Sequence, residues 1–106
     1  MFDFEPTEEQ QALIETARRF ARERIIPIAA ECDRTATFPM KVFEEAHSIG
    51  LVNPTLPAEH GGAGLSDVES SFITEELAYG CSGIQTSMTA NTLGLTPLKL
   101  AGSDEQ

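Results

Sequence analysis

Residues 7–28 read TEEQQALIETARRFARERIIPI, and the spacing of the apolar positions in that run decides the fold class. Thr7-Glu8-Glu9-Gln10 has the form of a capping box, a hydroxyl for an orphan amide with a Gln three residues on to return the bond. Behind it Ile14, Ala17, Ala21, Ile25 and Ile28 recur at three- and four-residue steps, which predicts one buried helix face. Leu13 and Phe20 widen that face. Glu15 stands four residues before Arg19 and predicts an exposed ion pair of about 0.3–0.5 kcal/mol. Pro27 has no amide hydrogen and crowds the carbonyl of Glu23, which predicts a kink or break. Because the periodicity survives the proline, a kinked helix running to about Asp33 is expected.

The same signals continue outward. Pro39 suits a first helical turn, and Met40, Val42, Phe43, Ala46 and Ile49 predict a short amphipathic helix stopped by Gly50. Residues 51–65 hold Pro54, Pro57, Gly61, Gly62 and Gly64, the composition of an irregular connection. Its length suggests a segment that packs or works. Ser66-Asp67-Val68-Glu69 is a second capping box, after which Val68, Phe72, Ile73 and Leu77 should face inward until Gly80. Ser82 could cap a helix over residues 83–93, closed by Gly94, and Thr96-Pro97 should start a last short piece ending at Gly102. No period-2 run of strand length appears. The expected fold is all-α, an orthogonal or up-down bundle of about four to five helices in one domain, 1–106. Ser103-Asp104-Glu105-Gln106 is a third capping box with nothing after it, which suits either a chain cut from something longer or an acidic frayed tail.

Charge and composition exclude several roles. Seventeen acids against seven bases give a net charge of −10, a balance that repels nucleic acid and anionic membranes. Residues 42–98 contain no Lys or Arg, so a phosphorylated ligand would have to be gripped elsewhere. Cys32 and Cys81 are too few for a disulfide scaffold and are expected to be reduced thiols. No basic-then-apolar leader opens the chain, which points to a bacterial cytoplasmic protein, or to the mitochondrial matrix for a processed one.

Few residues suggest chemistry. Glu59-His60-Gly61-Gly62-Ala63-Gly64 lacks the spacing of a phosphate loop and reads more simply as a turn needing positive φ. His60 with Glu59, or His47 with Glu44, falls short of a metal set, so no metal is expected. Cys81 lacks a neighbouring base and reads as a core residue. Glu8-Glu9, Glu44-Glu45 and Glu75-Glu76 are adjacent on helices, not convergent dyads, and read as solvated faces. Residues 77–98 carry no charge yet are too polar to cross a membrane. Two readings of this stretch stay open. One is an internal helix whose hydroxyls bond back to its own carbonyls. The other is a helix lining a narrow channel for an apolar ligand, with Gln85, Thr89 and Leu93 on the facing side.

The opening Phe4-Glu5-Pro6-Thr7-Glu8-Glu9-Gln10, the run Ala17-Arg18-Arg19-Phe20-Ala21-Arg22-Glu23, Ile25-Ile26-Pro27 and Leu56-Pro57-Ala58-Glu59-His60-Gly61-Gly62-Ala63-Gly64-Leu65 resemble acyl-CoA dehydrogenases. Glu75-Glu76-Leu77-Ala78-Tyr79-Gly80-Cys81-Ser82-Gly83-Ile84-Gln85-Thr86 is most similar to the medium-chain branch. The resemblance is collinear over essentially the whole chain and covers only the family's N-terminal helical domain. It implies a chain truncated before the middle β domain and the C-terminal helical domain.

It further implies a flavoenzyme that desaturates a fatty acyl-CoA between its α and β carbons. In the family a glutamate base takes the α proton and the FAD flavin takes the β hydride, in a site closed to water. That base lies in the C-terminal domain, so no catalytic or cofactor-binding residue is assigned here. Neither activity nor retained FAD is expected of the 106 residues alone. Carried over by position, Gln85, Thr89 and Leu93 would border the deep end of the acyl channel. Medium-chain members can carry a carboxylate where this sequence has Thr89. The implied partners of the complete enzyme are the fatty acyl-CoA substrate, electron-transfer flavoprotein as electron acceptor, and further copies in a homotetramer. The alternative is a stand-alone, non-enzymatic helical module that binds a protein partner or a fatty acyl group.

Overall fold

The computed structural model describes residues 3–106 and is helical throughout, with no strand among the described residues. The helices are α1 (Glu8–Phe20), α2 (Ile26–Thr35), α3 (Met40–Ser48), α4 (Asp67–Gly80), α5 (Ser82–Thr89) and α6 (Asn91–Ala101). A π-helical turn, Ala21–Ile25, joins α1 to α2 without a break, so the two form one long rod. Thr7 caps α1 as its sequence requires. The Thr7 hydroxyl accepts from the Gln10 amide at 3.2 Å, and the Gln10 side chain accepts from the Thr7 amide at 3.0 Å. The anticipated pairing of Glu15 with Arg19 is replaced by Gln11, which donates to Glu15 at 3.4 Å.

Pro27 does not break the rod. The Ile26 amide donates to the Ala21 carbonyl, five residues back, and this wider turn accommodates the proline ring upstream of Pro27. The rod runs to Thr35, two residues beyond the expected end. It is closed by Ala36 in the left-handed region (φ 53°), with the Thr37 amide on the Cys32 carbonyl at 3.2 Å. An alanine pays a steric penalty in that conformation that glycine does not. Ala36→Gly should therefore raise stability by about 0.5–1 kcal/mol, read as a shift in the urea midpoint at unchanged slope.

Pro39 caps α3 from one position outside the first turn where it was expected. Gly50 ends this helix as anticipated: its amide donates to His47 at 3.1 Å and the Leu51 amide to Ala46 at 2.9 Å, a Schellman closure. Val42 and Ala46 are buried, whereas Met40 and Ile49 are about half exposed. The expected apolar face of α3 is therefore narrower than its composition suggests.

The core joins Ile14, Ala17, Phe20, Ala21 and Ile25 of the rod to Val42, Ala46, Leu51, Val52, Ile73, Leu77, Ile84 and Met88. Four of the five positions of the predicted α1 face are buried, and the fifth, Ile28, packs partly buried against them. The Ser66 box closes α4 reciprocally, at 3.3 Å to the Glu69 amide and 2.8 Å back to Ser66. Val68 is 58% exposed, contrary to its expected inward place: as the second residue of α4, it lies outside the layer that Ile73 and Leu77 bury. At the other end of α4, a Cβ on Gly80 would lie 3.1 Å from Ala21 Cβ and from Ile25 Cγ2. The missing side chain lets α4 cross the π turn closely.

Residues 51–65 form an ordered connection, as their composition implied. Leu51 and Val52 enter the core, Ala58–His60 makes a 3-10 turn, and Gly61 and Gly64 take φ of 85° and 65°. The boundary of the last two helices differs from expectation. Ser82 is the first helical residue and Cys81, in extended conformation, precedes it; α5 ends at Thr89, and α6 runs through both Gly94 and Pro97. The Thr89 hydroxyl donates to the Gln85 carbonyl at 3.1 Å, a back-bond that competes with the helical ladder at the end of α5. Pro97 is tolerated because α6 buries none of its residues, so water reaches the carbonyl that the proline leaves free. The radius of gyration is 14.5 Å, above the roughly 13 Å of a compact chain this long, consistent with that loosely attached helix.

Candidate functional site

The chain turns from α4 into α5 at Cys81, whose side chain packs partly buried against the core. Ile84 and Met88, four residues apart, enter the core and set the rotation of α5. That rotation leaves Gln85 and Thr89 half-buried along the flank, one turn apart. Gln85 Nε2 donates to Thr89 Oγ1 at 2.9 Å, so the two side chains hold each other in place. Ser87 donates to the Gly83 carbonyl at 3.0 Å, and Thr96 to that of Thr92 at 2.7 Å. Three hydroxyls of this uncharged stretch, those of Ser87, Thr89 and Thr96, thus bond back to their own helices, as the first of the two open readings requires. The stretch is nevertheless not enclosed: Tyr79 and Leu93 are 75% and 82% exposed.

Leu93 belongs to α6, across the helix boundary at Ala90, and is 82% exposed where Gln85 and Thr89 are half-buried. Two of the three sequence-assigned residues are hydrogen-bonded to each other, and the third lies on the next helix. The pair is neutral and contains no base or nucleophile. It can line a surface and offer one polar edge to a ligand.

Two of the three acidic pairs each give one member to an arginine. Arg18 grips Glu76 in a bidentate pair at 2.6 and 3.0 Å, and Arg24 grips Glu45 at 2.5 and 2.6 Å. These tie the rod to α4 and α3, links between residues 58 and 21 positions apart that no local spacing announces. Arg34 is likewise held by Glu31 at 2.7 Å. A flavin dinucleotide brings a pyrophosphate that needs free cations or an unblocked helix start. Here three arginines are already paired, and Glu8, Glu9, Asp67 and Glu69 occupy the first turns of α1 and α4. Neither these three arginines nor the starts of α1 and α4 offer a free site for that group.

The Arg24 guanidinium, hydrogen-bonded to Glu45, holds that carboxyl below its ordinary value of 4.5, and the Ser66 amide and hydroxyl do the same for Glu69. Folded values below unfolded ones mean that these contacts contribute fully above 4.5 and are lost as pH falls through the lowered values. Urea unfolding between about pH 6 and 3 should show stability declining on the acid side. Glu69→Gln keeps the capping amide but removes the titration, and its decline should be shallower.

His60 and Glu59 approach to 3.8 Å. Among the described residues no three His, Cys, Asp or Glu side chains converge on a point that could hold a metal ion. No described helix is long and apolar enough to cross a membrane. An open groove of about 460 Å³ lies between Leu56–His60 and the end of α6, with Leu95 and Leu98 in its wall and Lys99 at its edge. At its far side the third capping box is formed, Ser103 and Gln106 exchanging bonds of 3.0 and 3.4 Å.

Residues 7–106 match the family described as acyl-CoA dehydrogenase, N-terminal domain. The chain is 37% identical over 103 residues to a probable medium-chain specific acyl-CoA dehydrogenase of Caenorhabditis briggsae mitochondria, covering 97% of this chain and 25% of the relative. It is 36% identical over 100 residues to the human mitochondrial short-chain specific acyl-CoA dehydrogenase, covering 93% of this chain and 24% of that protein. Among solved structures it superposes, with a TM-score of 0.89 at 30% identity, on a chain from work on the electron transferring flavoprotein of Acidaminococcus fermentans and flavin-based electron bifurcation. That match covers 98% of this chain and 28% of the other. The chain thus spans about a quarter of the length of the curated relatives it matches.

Proposed function

Because this chain belongs to the acyl-CoA dehydrogenase family and corresponds to its N-terminal domain, we propose that it serves as the helical domain bordering the acyl pocket of a flavoenzyme. The reaction is the α,β-desaturation of a fatty acyl-CoA in fatty-acid β-oxidation. The match over residues 7–106 carries this reading. In it the base, the FAD site and the hydride acceptor lie outside these residues, and no chemical step is assigned to this chain. Electron-transfer flavoprotein is the proposed electron acceptor and a homotetramer the proposed assembly. The compartment is the bacterial cytoplasm, or the mitochondrial matrix in a eukaryote.

Within that reading Gln85 and Thr89 line the deep end of the acyl channel. Their mutual bond at 2.9 Å supports the assignment, since it turns two polar side chains into one fixed surface. Leu93 joins them if α6 is repositioned by neighbouring protein. The relatives include medium-chain and short-chain enzymes, so acyl length rests on these side chains rather than on the family. Thr89→Phe, in a protein carrying this domain with the family's other two, should shorten the longest acyl-CoA accepted. An unchanged chain-length profile would remove Thr89 from the pocket.

A second reading, a stand-alone helical module that binds a protein or an acyl group, draws on the exposed Leu93, Leu98 and Leu100 of α6. Solution behaviour separates the two. A module should be monodisperse and melt cooperatively, whereas a domain that normally packs against others should self-associate or lose fixed packing.

A further inference from the structure

Asn53 is held at φ 53°, and its side-chain Oδ1 is buried without a hydrogen-bond partner. Such an acceptor is costly to leave unpaired in a folded protein. It borders a niche of about 10 Å³ between the connection and α6, lined by Asn53, Thr55, Thr92, Leu95, Thr96 and Lys99, with Leu56 completing the wall. That volume is close to what one water molecule needs, and its walls carry hydroxyls and an ammonium rather than hydrocarbon alone. A separate observation concerns α6. None of its residues is buried, and its only half-buried residues, Thr92 and Leu95, are two that line this niche.

We propose that one ordered water in this niche latches α6 to the 51–65 connection. The water donates to Asn53 Oδ1 and to Thr96 Oγ1, and accepts from the Lys99 ammonium. Thr96 is free to accept because its own hydrogen is directed to the Thr92 carbonyl at 2.7 Å. The water satisfies the orphaned acceptor and supplies a polar attachment to a helix that has almost no apolar one. Leu56, Leu95 and Lys99 also border the larger groove, so the latch sets the distance between that groove's two walls. This proposal concerns the chain alone and does not depend on its enzymatic role.

Asn53→Gly tests it, because glycine accepts positive φ and removes only the side-chain amide. Amide hydrogen exchange of the chain should then be about fivefold faster in α6 and unchanged in α1 and α4. If Asn53 stands there only to suit the backbone, exchange in α6 will be unchanged or slower, and the latch is overturned. Equal acceleration in all three helices would overturn it too, since that is a global loss of stability. A crystal structure of the unsubstituted chain supplies the second readout. A water within hydrogen-bond distance of both Asn53 Oδ1 and Thr96 Oγ1 supports the proposal, and direct pairing of Asn53 Oδ1 with Lys99 or a threonine rejects it.

Discussion

Gly62→Ala should destabilise the chain by about 3 kcal/mol, measured by urea unfolding, although it adds a single methyl group. A Cβ at this position would lie 2.0 Å from the Leu56 carbonyl oxygen, 2.5 Å from its carbon and 2.4 Å from Leu56 Cβ. Two of those atoms are backbone, so no rotamer change relieves the overlap. The connection is also held from both sides. The Gly62 amide donates to Pro57 at 3.1 Å, the Gly64 amide to Leu56 at 2.9 Å, and the Leu65 amide to Pro54 at 2.8 Å. Making room for the methyl group requires several of these bonds to open together, at about 1 kcal/mol each. Because Leu51 and Val52 anchor the start of the same segment in the core, the disturbance cannot be confined to the surface. A change within about 0.5 kcal/mol would mean that the segment relaxes freely and is not the packed connection described above.

Leu77→Ala should cost about 3 kcal/mol, with a fall in Tm of roughly 15 °C for a chain this size. Leu77 is fully buried, in a core shared by the rod, α3, α4 and α5. Its removal leaves a cavity that rigid helices on several sides cannot fill, which adds to the lost transfer energy. With total stabilities of small domains at about 5–15 kcal/mol, this one truncation is a large share of the whole. The urea slope should stay the same, since the folded and unfolded surfaces change little. The exposed Leu100→Ala, by contrast, should shift the midpoint very little in the isolated chain, because at 79% exposure that side chain has no packing to lose.

The starts of α1 and α4 and the central face of the rod were legible because their physics is local. A Thr or Ser and the Gln or Glu three residues later suffice to satisfy two orphan amides, and all three capping boxes are formed. A three- to four-residue apolar period needs only a core somewhere on one side, and Ile14, Ala17, Ala21 and Ile25 found it. The same reasoning misplaced Val68, Met40 and Ile49, whose apolar character is not matched by a neighbouring element. It also treated Gly94 and Pro97 as boundaries. They interrupt a helix only where the free carbonyl or the flexible backbone is not compensated, and on an exposed helix water compensates it.

Of the candidate site, Gln85 and Thr89 were legible as neighbours because they lie one turn apart on a single helix. Leu93 was expected on that same helix and lies instead on α6, because the helix that begins at Ser82 ends at Thr89. Arg18 with Glu76 and Arg24 with Glu45 were out of reach of sequence spacing: each pair meets only after the rod, α3 and α4 have packed. Asn53 could be flagged from sequence only as part of an Asn-Pro turn. Its buried acceptor borders a niche that the connection and α6 line together, and that niche exists only in the folded chain. The sequence by itself determined the all-α class, the starts of α1 and α4 and the inward stripe, through capping bonds and periodicity that act within a few residues. The tertiary structure alone decided which apolar residues stay exposed, which acids find arginines and how α6 sits, because each depends on two distant segments sharing one space.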